Sequence, residues 1–236
     1  MRIIAHRSGP SVLPEQTVDS AKLALENGAD MVEIDLRFTK DKKIAVSHDE
    51  NLQRLFSRDI NLSELTLDEY KSLKRSDCDY CGHSFEDYIS AGIAPLLLHI
   101  KEGGENIPGI IGYIASKGYT DKVVLGVHSP EDVKAVKQTD ARIPVLAFMK
   151  NKEMMQGCID EGAEYIRLWQ KWTDRESIDF IHAKGREVWI MVGHCDGLEA
   201  GETTKEFLDF CNDAGVEGIL INNVLTRIAS EKTQAK

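Results

Sequence analysis

"EYIRLWQKWTDRESIDFIHAKGREVWIMV", residues 164–192, decides the fold. Its two ends, "EYIRLW" and "EVWIMV", are short runs rich in β-branched and aromatic residues, of strand length. Between them "TDRESIDFIHAKG" places apolar residues at helical spacing, with Thr173 to cap its start and Gly185 to end it. A strand that returns to the same end of a sheet needs a crossover of about a dozen residues. Strand, helix, strand in this order therefore predicts a parallel pair with the helix packed on its face.

The same unit recurs in both directions. "RIIAH", "MVEIDLR", "APLLLHIK", "KVVLGV", "IPVLAFM", "EYIRLW", "EVWIMV" and "GILIN" are the strand candidates. Helical stretches separate most of them, such as "TVDSAKLALENG", capped by Thr17 and stopped at Gly28. Eight units in 236 residues predict an α/β fold, a TIM (β/α)8 barrel, for which roughly 250 residues is typical. The alternative is an open doubly wound sheet, but no glycine-rich phosphate loop follows the first strand. No low-complexity linker or tandem repeat divides the chain, so residues 1–236 are read as one domain.

Composition narrows the function. Lysine and arginine number 29 against 39 acids, a net charge of −10, which argues against nucleic-acid or anionic-membrane partners. No apolar run approaches the roughly 20 residues of a membrane span, and "MRIIAHRSG" lacks the apolar core of a signal peptide. A soluble cytoplasmic protein is expected; the pattern specifies no oligomeric state. Five cysteines do not suggest a disulfide framework, and "CDYCGH" (Cys78 to His83) lacks the second cysteine pair of a zinc site. Cys158, Cys195 and Cys211 read as free thiols.

One segment breaks the alternation. "KIAVSHDE" follows "MVEIDLR" after only "FTKDK", too short for a crossover, so it is predicted to run back as a hairpin strand. A turn centred on Asp41 and Lys42 sets Asp35 opposite His48, Arg37 opposite Val46 and Glu33 opposite Glu50. Glu33, Asp35, Arg37 and His48 then share a face, and a slip of one residue separates them. The turn lacks the glycine that a two-residue hairpin prefers.

His6 and Arg7 end the first strand, and Glu33 and Asp35 lie near the end of the second, on the rim where barrels of this kind carry chemistry. Two acids two apart on an otherwise apolar strand bury like charges, at several kcal/mol each unless paired or bound to a cation. A bound cation removes the conflict.

The run from Ala5 to Leu55 resembles the glycerophosphodiester phosphodiesterase family, in the superfamily of phospholipase-C-like phosphodiesterases. It carries His-Arg after the first strand, the "PEQT" helix entry, Glu-x-Asp on the second strand, the Thr-Lys-Asp turn and the His-Asp pair, in order. Sparser marks follow: "HIK" (99–101), "VHSPEDV" (127–133), "HAKGREVWIMV" (182–192) and "GVEGILINN" (215–223). The resemblance implies a metal-dependent phosphodiesterase acting on a small phosphodiester. By matching positions, His6 and His48 are the acid-base pair, Glu33 and Asp35 metal ligands, and Arg7 and Lys101 phosphate contacts. Glu15 is either a substrate-site residue at the rim or a first-turn acid favoured by the helix dipole.

The chemistry of these residue types agrees. Phosphodiester cleavage needs a base for the nucleophile, an acid for the leaving alkoxide and neutralisation of the phosphoryl oxygens. Imidazoles titrate near neutral pH, an arginine fork matches two phosphate oxygens, and a divalent cation acts as Lewis acid and template. The nucleophile is either water or a neighbouring substrate hydroxyl, which gives a cyclic phosphate first.

Departures from the family pattern bear on the substrate. His99 stands where the family has a glutamate ligand before the lysine, so the expected single cation, Mg²⁺, Ca²⁺ or Mn²⁺, shifts towards Mn²⁺ or Zn²⁺. The other reading of His99 is a hydrogen-bonded histidine of the barrel core. Ser8 replaces a glycine, Gln16 an asparagine, "IMVG" (190–193) Trp-Thr-Val-Asn, and Asn222 an aspartate. Arg167 either reaches a phosphate or pairs with an acid in the barrel; Trp169 and Trp172 either line a head-group pocket or pack beneath the next helix. His128 and His194 also follow strands, with no partner to give them a role. The function expected is hydrolysis of glycerophosphodiesters, such as glycerophosphocholine or its ethanolamine analogue, to glycerol 3-phosphate and an alcohol. The alternatives are a phospholipase-C-like lyase that stops at a cyclic phosphate, and a barrel that binds phosphoryl ligands without turnover.

Overall fold

The computed structural model describes residues 1–225. In chain order its strands are β1 (Arg2–Ala5), β2 (Met31–Phe38), β3 (Ile44–Val46), β4 (His83–Ser84), β5 (Leu96–Ile100), β6 (Val123–Val127), β7 (Val145–Ala147), β8 (Tyr165–Trp169), β9 (Glu187–Met191) and β10 (Gly218–Ile221). β1, β2 and β5 to β10 pair in parallel, each with its neighbour, and β10 pairs back with β1. These are the eight strands expected, closed into a TIM barrel.

The crossovers are α1 (Val18–Glu26) after β1, then α2 (Gln53–Phe56), α3 (Leu67–Ser72) and α4 (Phe85–Ser90) between β2 and β5, and one α-helix after each of β5 to β9: α5 (Ile107–Ser116), α6 (Pro130–Thr139), α7 (Met155–Asp160), α8 (Arg175–Ala183) and α9 (Lys205–Ala214). Residues 226–236, with the end of the proposed single domain, lie outside the described residues. No described helix is long and apolar enough to cross a membrane. Thr17 caps α1 by accepting from the Ser20 amide, as expected. The cap of α8 is Asp174, one residue later than expected: Asp174 takes the Ser177 amide, while the Thr173 hydroxyl donates to the Trp169 carbonyl.

Alternation along the strands separates two apolar regions. Ile3, Val32, Ile34, Leu36, Leu96, Leu98 and their equivalents face the helices, while Ile4, Leu97, Val124, Leu146, Trp189 and Leu220 fill the barrel. Above this plug the inward positions become polar: Glu33 and Asp35 on β2, His99 on β5, Arg167 on β8. Gly126 on β6 leaves room for the Phe148 ring, since a Cβ there would lie 2.6 Å from Phe148 Cε2.

The hairpin register differs from the expected one by one residue. Leu36 pairs with Val46, Arg37 with Ala45 and Phe38 with Ile44. The Thr39 amide bonds the Lys43 carbonyl at 3.0 Å, so the loop has three residues, with Lys42 alone left-handed at φ 58°. A two-residue primed turn would need positive φ at both positions, which Asp41-Lys42 resists; a three-residue loop needs it once. β3 stops at Val46, so side-chain alternation no longer governs His48. The segment from β3 to α3 has its own apolar cluster, Ala45, Leu52, Phe56, Leu62 and Tyr70, beside the barrel.

Candidate active site

At the carboxyl ends of the strands lies a cavity of about 330 Å³, lined by His6, Arg7, Glu33, Asp35, His48, His99 and Lys101. Despite the shifted register His48 is among them: the chain bends after Ser47, whose amide donates to the Asp35 carbonyl at 3.0 Å. Arg37 is not. It turns to a neighbouring cleft, where Nη1 meets Glu102 at 2.5 Å and Nε donates to the His48 carbonyl at 3.0 Å. Glu15 does not line the cavity either. Its carboxylate is held by Arg54 at 2.6 Å and lies 3.4 Å from Arg7 Nη1, so it braces Arg7 from behind.

The turn after β1 aims this cluster. Arg7 and Ser8 are both left-handed, at φ 47° and 69°, a conformation a glycine at position 8 would adopt without strain; Ser8 here bonds the Tyr88 hydroxyl at 2.9 Å. The bend directs the Arg7 amide to Glu33 Oε2 at 2.7 Å. Gln16 Nε2 donates to Asp35 Oδ2 at 2.6 Å.

Glu33 and Asp35 are each 1% exposed. Burial, then the charge of Asp35, pushes the Glu33 carboxyl well above the usual carboxylate range. Asp35 is lowered against its own burial by Lys101 and His99, at 2.7 and 2.8 Å from Oδ1. Lys101 Nζ also bonds His99 Nδ1 at 3.1 Å, and His99 Nε2 meets His128 Nε2 at 2.8 Å. If Lys101 donates to Nδ1, Nε2–H of His99 donates to His128, and the Nδ1 lone pair is shared with the Lys101 ammonium until a cation takes its place. That lone pair, Asp35 Oδ1 and a Glu33 oxygen form a set of donor atoms all within 4.8 Å of one another. Asp35 Oδ1 faces the Lys101 ammonium and the His99 ring at hydrogen-bond distance, so it lies at the centre of this set. Three crowded acceptor atoms suit a cation.

The two imidazoles expected to act as acid and base have different surroundings. Asn222 Nδ2 donates to the Ala200 carbonyl at 2.7 Å, which turns Oδ1 to His6 Nδ1 at 2.8 Å. His6 is thus a neutral Nδ1–H tautomer with a basic Nε2, and burial followed by the Arg7 charge pushes its pKa down to about 4. His48 Nδ1 instead faces the Asp49 carboxylate at 2.7 Å, which Arg54 anchors at 2.5 Å. Sequence reasoning noted Asn222 as a departure from the family pattern and Asp49 in the His-Asp pair but gave neither a positioning role, and it passed over Arg54.

His128 and His194, left without roles, also line the cavity, with Phe148, Lys150, Arg167 and Trp169. Phe148 stacks on His99 with ring centroids 4.0 Å apart. Arg167 finds no acid in the barrel among the described residues. Trp169 takes the pocket position, and Trp172 packs edge-on against it at 6.4 Å. The five cysteines are all free thiols.

The fold and the mouth together define a closed parallel α/β barrel with acids, imidazoles and cations gathered at the carboxyl ends of its strands. The model of the glycerophosphoryl diester phosphodiesterase family matches residues 6–100. The chain is 39% identical over 102 residues, 43% of its length, to a glycerophosphodiester phosphodiesterase of Bacillus altitudinis, and 39% over 71 residues, 30% of its length, to one of Caldanaerobacter subterraneus. These stretches take up 39% and 29% of the two relatives, well under two thirds of either. Among solved structures, a glycerophosphoryl diester phosphodiesterase of Parabacteroides distasonis is 25% identical with a TM-score of 0.80, over 97% of this chain and 86% of that one. An Oleispira antarctica phosphodiesterase, in complex with the product sn-glycerol-3-phosphate, is 17% identical with a TM-score of 0.79, over 98% and 97%. Residues 6–100 match the glycerophosphoryl diester phosphodiesterase family in sequence, and nearly the whole chain shares the barrel fold of these solved structures.

Proposed function

We propose that this chain hydrolyses a glycerophosphodiester to glycerol 3-phosphate and an alcohol, with His6 and His48 as the acid-base pair. The observation that carries the reading is that these two imidazoles, differently biased, share one cavity with Arg7, Lys101 and a buried acid pair. His6, held neutral with Nε2 free, takes the proton of the attacking hydroxyl. His48, with Nδ1–H on Asp49, delivers a proton from Nε2 to the leaving alkoxide. Arg7 and Lys101 bind the phosphoryl oxygens, Arg7 as a planar fork braced by Glu15 and Lys101 as a point charge.

Glu33, Asp35 and His99 hold a divalent cation in this reading. When bound, it supplies Lewis-acid neutralisation of the phosphoryl oxygens. Two carboxylates and an imidazole suit Mn²⁺ or Zn²⁺ better than Ca²⁺. The test is a screen of glycerophosphodiesters for alcohol release by chelated protein, refilled with each divalent ion in turn. Release from at least one diester, restored by Mn²⁺ or Zn²⁺, is expected; no release from any diester with any ion sinks the reading.

A further inference from the structure

Arg167 takes no part in the chemistry just described. It projects from β8, three strands beyond β5 in the barrel, and is 3% exposed. Its guanidinium carbon lies 4.1 Å from the centroid of the Trp169 ring and 5.2 Å from that of Phe148, so aromatic rings flank it. Nη2 donates to the Met149 carbonyl at 3.1 Å. Nε and Nη1 meet no acceptor among the described residues. A buried arginine kept for structure alone is ordinarily forked to a carboxylate, because an unpaired buried charge costs several kcal/mol. The acids nearest the barrel axis, Glu33 and Asp35, are already engaged by Arg7, Lys101 and His99.

This cation is not isolated. Lys150 lines the same cavity, and the charges of Lys101, Lys150 and Arg167 all act on His128. Phe148 connects the two halves of the site, stacking on His99 at 4.0 Å and flanking Arg167 on the other side. A substrate with its phosphodiester at Arg7 and Lys101 would therefore extend its remaining arm towards Arg167. A quaternary ammonium head group would want the bare face of Trp169. That face holds a guanidinium, so a cationic head group would meet like charge.

We infer that the β7–β8 wall is a second anion site, and that the substrate is a phosphodiester whose leaving alcohol carries a further oxyanion, bound by Arg167 and Lys150. The inference rests on the phosphodiesterase reading for turnover but not for binding. Three diesters test it: glycerophosphoglycerol, and the same head group ending in a phosphate or in a carboxylate. The protein should favour one or both charged diesters in kcat/KM by about 10- to 100-fold, the scale of a charge-assisted hydrogen bond, and the larger preference identifies the oxyanion. Arg167→Gln should lower kcat/KM for the charged diester at least tenfold more than for the neutral one, and Arg167→Lys should restore part of the difference. Equal losses on all three diesters, or no preference in the unsubstituted protein, overturn the inference.

Calorimetry with glycerol 3-phosphate and glycerol 1,3-bisphosphate provides a readout that needs no turnover. Tighter binding of the bisphosphate, abolished in Arg167→Gln, supports the second site even if no diester is cleaved. Equal binding of the two overturns it. Circular dichroism of Arg167→Met controls for folding: removing an unpaired buried charge should leave the fold intact.

Discussion

The division of labour proposed for His6 and His48 depends on one side-chain amide. Asn222 has a single orientation that satisfies the Ala200 carbonyl, and it leaves His6 a neutral base. Because the His6 pKa is pushed down to about 4, the acid limb of kcat/KM should fall near pH 4 rather than near 6.5. Asn222→Asp would put a carboxylate beside Nδ1–H and should move that limb up by about one pH unit or more; an unmoved limb would mean that His6 is not the base. The same depression affects stability. An unfolded His6 binds its proton near pH 6.5 and the folded one only near 4, so the stabilisation is present above pH 6.5 and declines as pH falls towards 4. His6→Asn should flatten the melting temperature across that window, read by calorimetry. At this scale His6, Arg7, Glu33 and Asp35 were legible because strand ends can be read from sequence. Asn222 was not, since it meets His6 across 216 positions and only barrel closure brings the two together.

At the scale of elements, the hairpin shows where periodicity stops being informative. The sequence marked a returning strand correctly, but the register depended on Lys42 accepting a left-handed conformation, and the His48 position depended on β3 ending after three residues. Neither is written in the alternation of side chains. The expectation that a slip would separate His48 from the acids failed for that reason. Gly126 was equally silent. Its Cβ would meet the Phe148 ring at 2.6 Å, and that ring is the surface on which His99 stacks. Gly126→Ala should lower the unfolding free energy by about 1–3 kcal/mol, the usual penalty of overpacking, and weaken divalent-ion binding with it. A denaturant midpoint and an ion titration unchanged by the substitution would mean that the ring does not set the position of His99.

Across the whole molecule, eight barrel strands were legible because each strand and helix carries its own period, and parallel pairing follows from loop length alone. What sequence could not supply was the electrical balance of the mouth. Glu33 and Asp35 are both buried, and the chain as folded offsets them with Lys101 and His99. A divalent ion should therefore stabilise the protein by roughly 2.7 kcal/mol at a hundred times its Kd, or about 5–10 °C in melting temperature for a chain of this size. Glu33→Gln should abolish most of the gain from the ion, because it removes one of the carboxylates that would hold it. A gain that survives Glu33→Gln would place the ion elsewhere.

The central claim is that acids, imidazoles and cations at one barrel mouth act together on a phosphodiester. Phosphorus NMR of a glycerophosphodiester incubated with the protein tests it most directly, comparing chelated protein, Mn²⁺-refilled protein and refilled His6→Ala and His48→Ala. The expected result is glycerol 3-phosphate from the refilled protein alone, with each alanine variant slower by about 10² to 10⁴ and still folded. A diester signal cleaved equally fast by the chelated protein and by both variants would contradict it.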